Sequence, residues 1–282
     1  MIWSLAFVAL ILALRRQLSE MWQALRTPRL MGPLAVSSVL IAINWIVFIY
    51  AAHTGRLVQA SLGYFLTPLL SVLLGVALLG ERLRRGQLVA IVVASVGVAI
   101  ISYLKLNSLW IPLGLMVSFS LYGLLRKRIV IGPIVGLGVE TAVLAPFALA
   151  YIAFDPGSHP TAIPPAAHAL LVSAGIVTAI PLMLFAYAAR RLRLITIGLL
   201  QYAGPTVQLV VARFVAHESI SAIELGGFII IWIGLILFSV DSARAYRRDV
   251  MRGRAEAADP AITAALTAAP DAAIATPLQS RA

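Results

Sequence analysis

Glu140 is the acidic side chain of this sequence whose position points most directly to chemistry. It lies within a long apolar segment, whereas the other ten of the eleven Asp and Glu residues fall between such segments, at their ends or in the C-terminal part. An ionised carboxyl group is costly at membrane depth, so it normally faces a cavity or a partner. Two interpretations stay open: Glu140 binds a coupling proton or a substrate cation, or it is a structural carboxyl group hydrogen-bonded to a neighbouring helix.

Polar and aromatic residues near two prolines form a second candidate site. Pro68 and Pro205 each lie within an apolar segment. Proline removes a backbone hydrogen bond and kinks a helix, and the freed carbonyl groups are a common way to build a polar pocket at the midplane of a membrane. We therefore predict a helix-break pocket at Pro68 and Pro205, with interhelical hydrogen bonding as the alternative role of its polar residues. The predicted substrate pathway consists of Asn44, Trp45, Tyr64, Gln201 and Tyr202.

Other site chemistries find little support in the sequence. There is no cysteine, and the four histidines lie at predicted loops or helix ends without the spacing of a metal site, so neither a metal nor a cofactor is expected. No nucleotide-binding P-loop is present, which argues against a primary pump. An intramembrane hydrolase would need a nucleophile and a base on facing helices, and no such pairing stands out. An enzyme is therefore not expected.

The composition indicates which solvent surrounds the chain. Of its 282 residues, 61% are hydrophobic and only 12% are charged, whereas soluble domains carry about a quarter charged residues. The net charge of +11 does not indicate nucleic acid as a partner, because the basic residues form short clusters between apolar runs. The expected partners are the lipid bilayer and a small-molecule substrate, and a homodimer is left open.

Nine apolar runs are candidates to cross a membrane, since a span needs about 20 mostly apolar residues. Together they predict an all-α integral membrane protein. The first run has no basic residues before it, so it does not have the pattern of a cleavable signal peptide. The predicted spans are 1–14, 33–52, 57–80, 86–104, 109–125, 134–154, 167–189, 195–216 and 223–241.

The positions of Lys and Arg predict the orientation of these spans. Eighteen of the 22 basic residues fall on one side, and only Arg56, Lys105 and Arg213 fall on the other, with Arg281 far out in the tail. Basic residues accumulate in cytoplasmic loops, so the C-terminus is predicted to be cytoplasmic and Met1 exterior. The basic side receives Arg15, Arg16, Arg26, Arg29, Arg82, Arg84, Arg85, Arg126, Lys127, Arg128, Arg190, Arg191, Arg193, Arg244, Arg247, Arg248, Arg252 and Arg254.

Two segments of the chain resemble one another at a constant offset of 137 residues. The anchors are Phe48-Ile49-Tyr50-Ala51-Ala52 with Phe185-Ala186-Tyr187-Ala188-Ala189, Pro68 with Pro205, Glu81 with Glu218, and Gly97 with Gly234. Glu81 is predicted on the cytoplasmic side and Glu218 on the opposite side, each just after a span, with a solvated or loop-pairing role. The two halves are therefore predicted to be inverted, an arrangement typical of secondary transporters.

The number of spans in the two halves differs. The second half has five predicted spans and the first only four, and the first span is short, about 21 Å of helix against roughly 30 Å of hydrocarbon. The sequence therefore predicts a repeat of five plus five helices with the first helix missing, for which a misplaced start codon is the favoured explanation.

Short motifs between positions 44 and 206 resemble the RarD-type branch of the drug/metabolite transporter superfamily, whose repeating unit is the EamA domain. In the first half they are Asn44-Trp45, Gln59-Ala60-Ser61-Leu62-Gly63-Tyr64-Phe65, Pro68-Leu69 and Leu79-Gly80-Glu81-Arg82. In the second half they are Ser118-Phe119, Tyr122-Gly123-Leu124, Arg126-Lys127, Glu140-Thr141, Ala174-Gly175-Ile176-Val177-Thr178, Arg191-Leu192-Arg193-Leu194, Gln201-Tyr202 and Gly204-Pro205-Thr206. The resemblance implies ten helices, two cytoplasmic termini and a carrier in the bacterial cytoplasmic membrane. The chain departs from it by lacking the first helix.

These observations predict three parts of the chain: a first EamA-like repeat at 1–104, a second at 105–245, and a disordered cytoplasmic tail at 246–282. The predicted function is secondary active transport of small organic molecules, as an exporter or exchanger, by alternating access between inverted repeats, with proton coupling as an option. The alternatives are a channel, a structural membrane subunit without transport activity, and a non-functional truncated carrier.

Overall fold

The computed structural model describes residues 2–104, 109–154 and 165–258, and this part of the chain is helical without any strand. Lys105 and Ser158, in two predicted exterior loops, lie outside it, as does 259–282. The helices are α1 (Ile2–Leu14), α2 (Leu18–Arg26), α3 (Pro28–His53), α4 (Leu57–Leu79), α5 (Arg85–Leu104), α6 (Trp110–Arg128), α7 (Pro133–Phe154), α8 (Pro165–Arg191), α9 (Leu194–Leu200), α10 (Ala203–Phe214) and α11 (Ala222–Ala258).

Seven helical segments among the described residues are long and apolar enough to cross a membrane. They are α3, α4, α5, α7, α8, the broken helix α9–α10 and the first part of α11. The pair α1–α2 makes an eighth if it counts as one bent span. The helix α6 ends in Arg126, Lys127 and Arg128, which lower its apolar character. Nine spans therefore remain a prediction, whereas the all-α membrane architecture is confirmed.

The segment between the first two predicted spans contains a helix that the sequence analysis did not foresee. The helix α2 has nine residues and turns from α1 by 117°. Its Ala24 is buried, whereas Trp22 is exposed and stacks under the guanidinium group of Arg26 at 4.8 Å. A helix with one buried face and an aromatic residue beside a cation is typical of a helix that lies in the membrane interface.

The helix α11 corrects the predicted start of the disordered tail. It continues to Ala258, so residues 246–258 are helical rather than disordered. Its 37 residues extend about 55 Å, well beyond the roughly 30 Å of hydrocarbon. The segment after Asp241 is rich in Ala and Arg, which are strong helix formers and prolong the helix after the apolar run ends.

The helices α5 and α11 pack closely through small residues. A Cβ atom at Gly97 would lie 2.5 Å from the carbonyl oxygen of Gly227, and one at Gly234 would lie 2.8 Å from that of Ala90. Gly234 follows Gly97 by 137 positions, and Gly227 follows Ala90 by the same number. In the repeat, the contact of Gly97 with Gly227 is therefore equivalent to the contact of Gly234 with Ala90. The two contacts place α5 and α11 antiparallel.

This close approach predicts the effect of a single methyl group. We expect Gly97→Ala to lower the free energy of unfolding by about 1–3 kcal/mol, because its Cβ meets backbone rather than a movable side chain. The matched control is Gly226→Ala on α11, whose Cβ would meet nothing within 4 Å. Thermal unfolding of both variants in detergent measures the difference, and equal melting temperatures would contradict the packing described here.

The helix α4 packs against α9 and α10 through a second pair of equivalent contacts. The hydroxyl group of Ser61 donates a hydrogen bond of 2.9 Å to the carbonyl oxygen of Pro205. A Cβ atom at Gly198 would lie 3.3 Å from the backbone of Pro68. Gly198 follows Ser61 by 137 positions, and Pro205 follows Pro68 by the same number. In the repeat, the contact of Ser61 with Pro205 is therefore equivalent to the contact of Gly198 with Pro68.

Phe65 and Tyr202 lie between these contacts and are themselves 137 positions apart. Their ring centroids are 5.9 Å apart, and both side chains are buried. Phe228 of α11 packs on Phe65 at 5.2 Å, within one apolar cluster to which α4, α5, α9, α10 and α11 contribute.

A buried ion pair as the candidate functional site

Glu140 and Arg126 form a buried ion pair between α7 and α6. Their side chains are 1% and 2% exposed, and Nη1 of Arg126 lies 3.5 Å from Oε1 of Glu140. Two opposite charges in one site largely cancel, which lowers the cost of keeping both away from water. Glu140 is therefore not the isolated acid that its sequence context suggests.

The helix α6 positions the basic side of this site. Ser118, Tyr122 and Arg126 recur at every fourth residue, so they share one helical face, and all three are buried. The hydroxyl group of Tyr122 donates to Oε2 of Glu140 at 3.3 Å. The same face thus supplies both the counter-ion and a hydrogen-bond donor to the carboxylate.

The first turns of α7 supply the space for Arg126. Its Nη2 donates a hydrogen bond of 3.0 Å to the carbonyl oxygen of Pro133. The guanidinium group then crosses Gly136, where a Cβ atom would lie only 2.1 Å from Nη1. Glu140 follows Gly136 by four residues and lies on the same face of α7. A residue without a side chain at 136 is therefore a condition for this ion pair.

The helix α3 closes the site from a third direction. Ser37 is fully buried, and its hydroxyl group donates a hydrogen bond of 2.5 Å to Oε1 of Glu140. The carboxylate therefore has a donor on each oxygen in addition to the guanidinium group. By contrast, Nε and Nη1 of Arg126 have no hydrogen-bond partner among the described residues. The site holds its negative group more completely than its positive one.

A proton on Glu140 would change the energetics of this buried pair. If Glu140 takes up a proton, it loses its charge and Arg126 is left as a buried cation without a counter-ion, which is strongly unfavourable. A protonated site would therefore favour a conformation in which Arg126 reaches water or another anion.

The second predicted site is partly assembled as a polar network between α3, α4 and α6. The hydroxyl group of Tyr64 donates to Oδ1 of Asn44 at 2.9 Å. Nδ2 of Asn44 donates to Oγ of Ser118 at 3.0 Å and to the carbonyl oxygen of Leu115 at 3.2 Å. Asn44 and Tyr64 thus lie together, and Ser118 connects them to the face of α6 that carries Arg126.

Aromatic side chains join the two sites. Phe119 contacts Tyr64, Tyr122 and Phe185, with ring centroids 6.1, 5.9 and 5.1 Å away. The rings of Tyr122 and Phe185 are stacked at 5.8 Å. Trp45 packs against the buried apolar residues around Tyr122. An aromatic wall next to polar groups is a common lining of small-molecule sites.

The remaining predicted residues occupy different surroundings. Tyr202 lies in the apolar cluster with Phe65 rather than in the polar network. Gln201 is half-buried, and its Oε1 has no hydrogen-bond partner among the described residues. The helix is interrupted between α9 and α10 at 201–202, three residues before Pro205, whereas α4 continues through Pro68. The helix-break pocket at these two prolines stays a prediction.

Arg126 is the functional candidate that the sequence analysis missed. Its neighbours Lys127 and Arg128 made it one of a cluster of cytoplasmic loop charges, but the structure buries its side chain. The helical spacing from Ser118 and Tyr122 was the available signal, because it places Arg126 on the polar face of α6. Ser37 gave no comparable signal, since it contacts Glu140 across 103 residues of sequence.

Comparisons with known proteins agree with the predicted resemblance. Residues 1–103 match the EamA-like transporter family. The chain is 41% identical to the uncharacterized transporter YojE of Bacillus subtilis over 247 residues, 86% of this chain and 83% of that protein. It is 40% identical to the protein RarD of Escherichia coli over 88% of this chain and 84% of that protein. The chloramphenicol-sensitive protein RarD of Pseudomonas aeruginosa is 29% identical over 262 residues, 89% of this chain and 86% of that protein.

The fold also matches a solved structure. A protein crystal structure with 20% sequence identity superposes with a TM-score of 0.60, over 86% of this chain and 88% of the other. At that identity the match concerns the fold alone. The sequence relatives and the apolar helices lead to one conclusion: the chain is a multi-pass membrane protein that belongs to the EamA-like family of the drug/metabolite transporter superfamily, as a RarD-type member.

Proposed function

We propose that this protein is a secondary carrier that moves small organic molecules across the bacterial cytoplasmic membrane by alternating access. The observation that carries the proposal is that contacts between helices occur in equivalent pairs related by 137 residues, at Gly97 and Gly234 and at Pro68 and Pro205. A carrier with inverted halves opens to either side when the halves exchange conformations. The antiparallel packing of α5 with α11 supports two such halves.

The coupling site in this proposal is the ion pair of Glu140 and Arg126. Proton binding to Glu140 leaves the buried charge of Arg126 uncompensated and favours the conformation that hydrates it. Release of the proton restores the pair. The surrounding hydroxyl groups of Ser37 and Tyr122 position the carboxylate and stabilise its charged form, to which the site returns when the proton leaves.

The substrate pathway in this proposal runs along the network of Asn44, Tyr64 and Ser118 and the aromatic wall around Phe119. Amide and hydroxyl groups beside aromatic rings favour an organic molecule with both polar groups and an apolar ring or chain. Chloramphenicol has this chemistry, and one relative is named for sensitivity to it. It is therefore the first probe to use.

The topology of the proposal is nine spans from a five-plus-five inverted repeat, with a cytoplasmic C-terminus. We expect reporters fused after Arg85, Lys127 and Arg193 to report the cytoplasm, and reporters near Lys105 and Ser158 to report the exterior, because of the asymmetric distribution of basic residues. Activity of a cytoplasmic reporter in the segment 155–166 would contradict the nine spans.

Uptake into proteoliposomes tests the transport activity itself. Vesicles that contain the protein are compared with protein-free vesicles of the same lipid, for radiolabelled chloramphenicol and for a panel of other small organic molecules. We expect saturable, protein-dependent uptake of at least one compound. A channel would instead give uptake that does not saturate, and a structural subunit would give none.

A further inference from the structure

Glu218, in the connection after α10, binds the first residues of a helix from the other half of the chain. Its two carboxylate oxygens accept hydrogen bonds from the backbone N–H groups of Leu57 at 2.7 Å and Val58 at 2.9 Å. These amides begin α4, where helical N–H groups have no partner within the helix. A carboxylate at this end also interacts favourably with the helix dipole.

Glu81, in the connection after α4, makes the equivalent contact at the other end of the same helix pair. Its oxygens accept from the backbone N–H groups of Leu194 at 2.8 Å and Ile195 at 3.1 Å. Leu194 begins the broken helix α9–α10. The connection after α4 therefore binds the beginning of α9, and the connection after α10 binds the beginning of α4.

The two contacts are equivalent residue by residue. Glu218, Leu194 and Ile195 follow Glu81, Leu57 and Val58 by 137 positions each. In the repeat, the contact of Glu81 with the beginning of α9 is therefore equivalent to the contact of Glu218 with the beginning of α4. The two carboxylates lie at opposite ends of the antiparallel helices α4 and α9–α10. Solvated surface acids would have no reason to be matched in this way.

We propose that Glu81 and Glu218 are paired positioning residues for the transport cycle, which keep α4 and α9–α10 joined at both ends while the remaining helices move. The inference rests on the proposed carrier function. Both contacts are closed in the same structure, so neither excludes the other. The hydrogen bond from Ser61 to Pro205 and the contact of Gly198 with Pro68 hold the segments between them.

The contact at Glu81 has additional support. Nζ of Lys127 lies 3.4 Å from Oε1 of Glu81 and donates a hydrogen bond of 2.6 Å to the carbonyl oxygen of Leu192. Nη2 of Arg193 donates to the carbonyl oxygen of Arg82 at 2.6 Å. Within the described part of the chain, Glu218 forms no ion pair. The end of the pair at Glu81 is therefore the more strongly held of the two.

Side-specific labelling with an impermeant maleimide tests this inference without a known substrate. The chain contains no cysteine, so a single cysteine is a clean reporter. Ala212→Cys reports the end of α10 near Glu218, and Ser71→Cys reports the half of α4 that is nearer to Glu81; both residues are buried. With Glu81 and Glu218 intact, both reporters are expected to stay protected in cells and in inverted vesicles.

The substitutions Glu218→Ala and Glu81→Ala should each expose one reporter only. We expect Glu218→Ala to raise labelling of Ala212→Cys about fivefold or more and to leave Ser71→Cys protected, because local opening increases by about this factor for each net hydrogen bond that is lost. Glu81→Ala should do the reverse. In the Gln variants, which keep one acceptor oxygen, labelling should be intermediate between that of the Ala variants and that of wild type. The Gln variants replace the Ala variants if those do not fold.

The controls separate this role from general destabilisation. Glu20→Ala, at an exposed acid on α2, should leave both reporters protected. Lys127→Met should raise labelling of Ser71→Cys alone. Equal exposure of both reporters by either Ala variant would overturn the inference, as would labelling of either reporter with both glutamates intact. Loss of transport with unchanged labelling would also overturn it, whereas intact side-specific labelling without transport would overturn only the carrier function.

Discussion

Replacing Glu140 with Gln is expected to lower the free energy of unfolding by about 3–5 kcal/mol, the usual cost of removing one partner of a buried ion pair. Gln keeps the size of the side chain and an acceptor oxygen, so packing is preserved. What is lost is the charge opposite Arg126, whose side chain is only 2% exposed. Thermal or denaturant unfolding of the purified protein measures the effect, and Glu20→Gln on exposed α2 is the matched control.

The double variant Arg126→Gln/Glu140→Gln distinguishes the charge effect from any other. It removes both charges together, so it should recover most of the stability that Glu140→Gln loses. A double variant that is less stable than either single variant would contradict a simple ion pair. The same protein then tests coupling, because it folds but has no proton-binding carboxyl group.

Coupling predicts a specific transport defect for this double variant. It should exchange substrate across the membrane when the pH is equal on both sides. It should lose accumulation driven by a pH difference, at least tenfold relative to wild type, since no proton binds and leaves at the site. Transport is normalised to folded protein. Wild-type accumulation by the double variant would remove Glu140 as the coupling residue.

Gly136→Ala is expected to cost about 3 kcal/mol or more, although the new methyl group is small. Its Cβ would lie 2.1 Å from Nη1 of Arg126, so the guanidinium group must move away from Glu140. The cost combines overpacking with loss of the buried pair. Gly132→Ala is the matched control, because its Cβ would meet Val135 at an ordinary 3.7 Å.

The mechanism of this effect is tested in the background without the ion pair. When Arg126→Gln/Glu140→Gln has already removed the guanidinium group, Gly136→Ala should cost much less. The difference between the two backgrounds is an interaction energy of the kind that contacting residues show. Equal costs in both backgrounds would mean that Gly136 is required for another reason, such as helix packing.

Hydropathy predicted most membrane helices because a span is defined by length and apolar composition, which are local properties. It missed α2, since a nine-residue helix does not have that length. It also missed the extension of α11 to Ala258, where helix propensity replaces hydrophobicity. The interruption before Pro205 was predictable because proline lacks an amide donor, yet α4 tolerates Pro68 without a break.

The candidate site was only half predictable for a related reason. Glu140 is visible in the sequence because its own neighbours are apolar. Arg126 is hidden because its neighbours Lys127 and Arg128 are charged, and because its partner lies on another helix. Asn44 and Tyr64 were predicted in one pathway, and the structure joins them, but Tyr202 packs in the apolar cluster with Phe65. Contacts between helices depend on packing that no local pattern encodes.

Counterflow in proteoliposomes tests the carrier function most directly. Vesicles are loaded with an unlabelled compound that the protein takes up, diluted, and given the same compound at trace level with a radiolabel. A carrier that alternates between two sides should take up the label faster and transiently above equilibrium, because each binding site returns loaded. A label that enters at the same rate with and without internal compound, and never exceeds the outside concentration, would contradict alternating access.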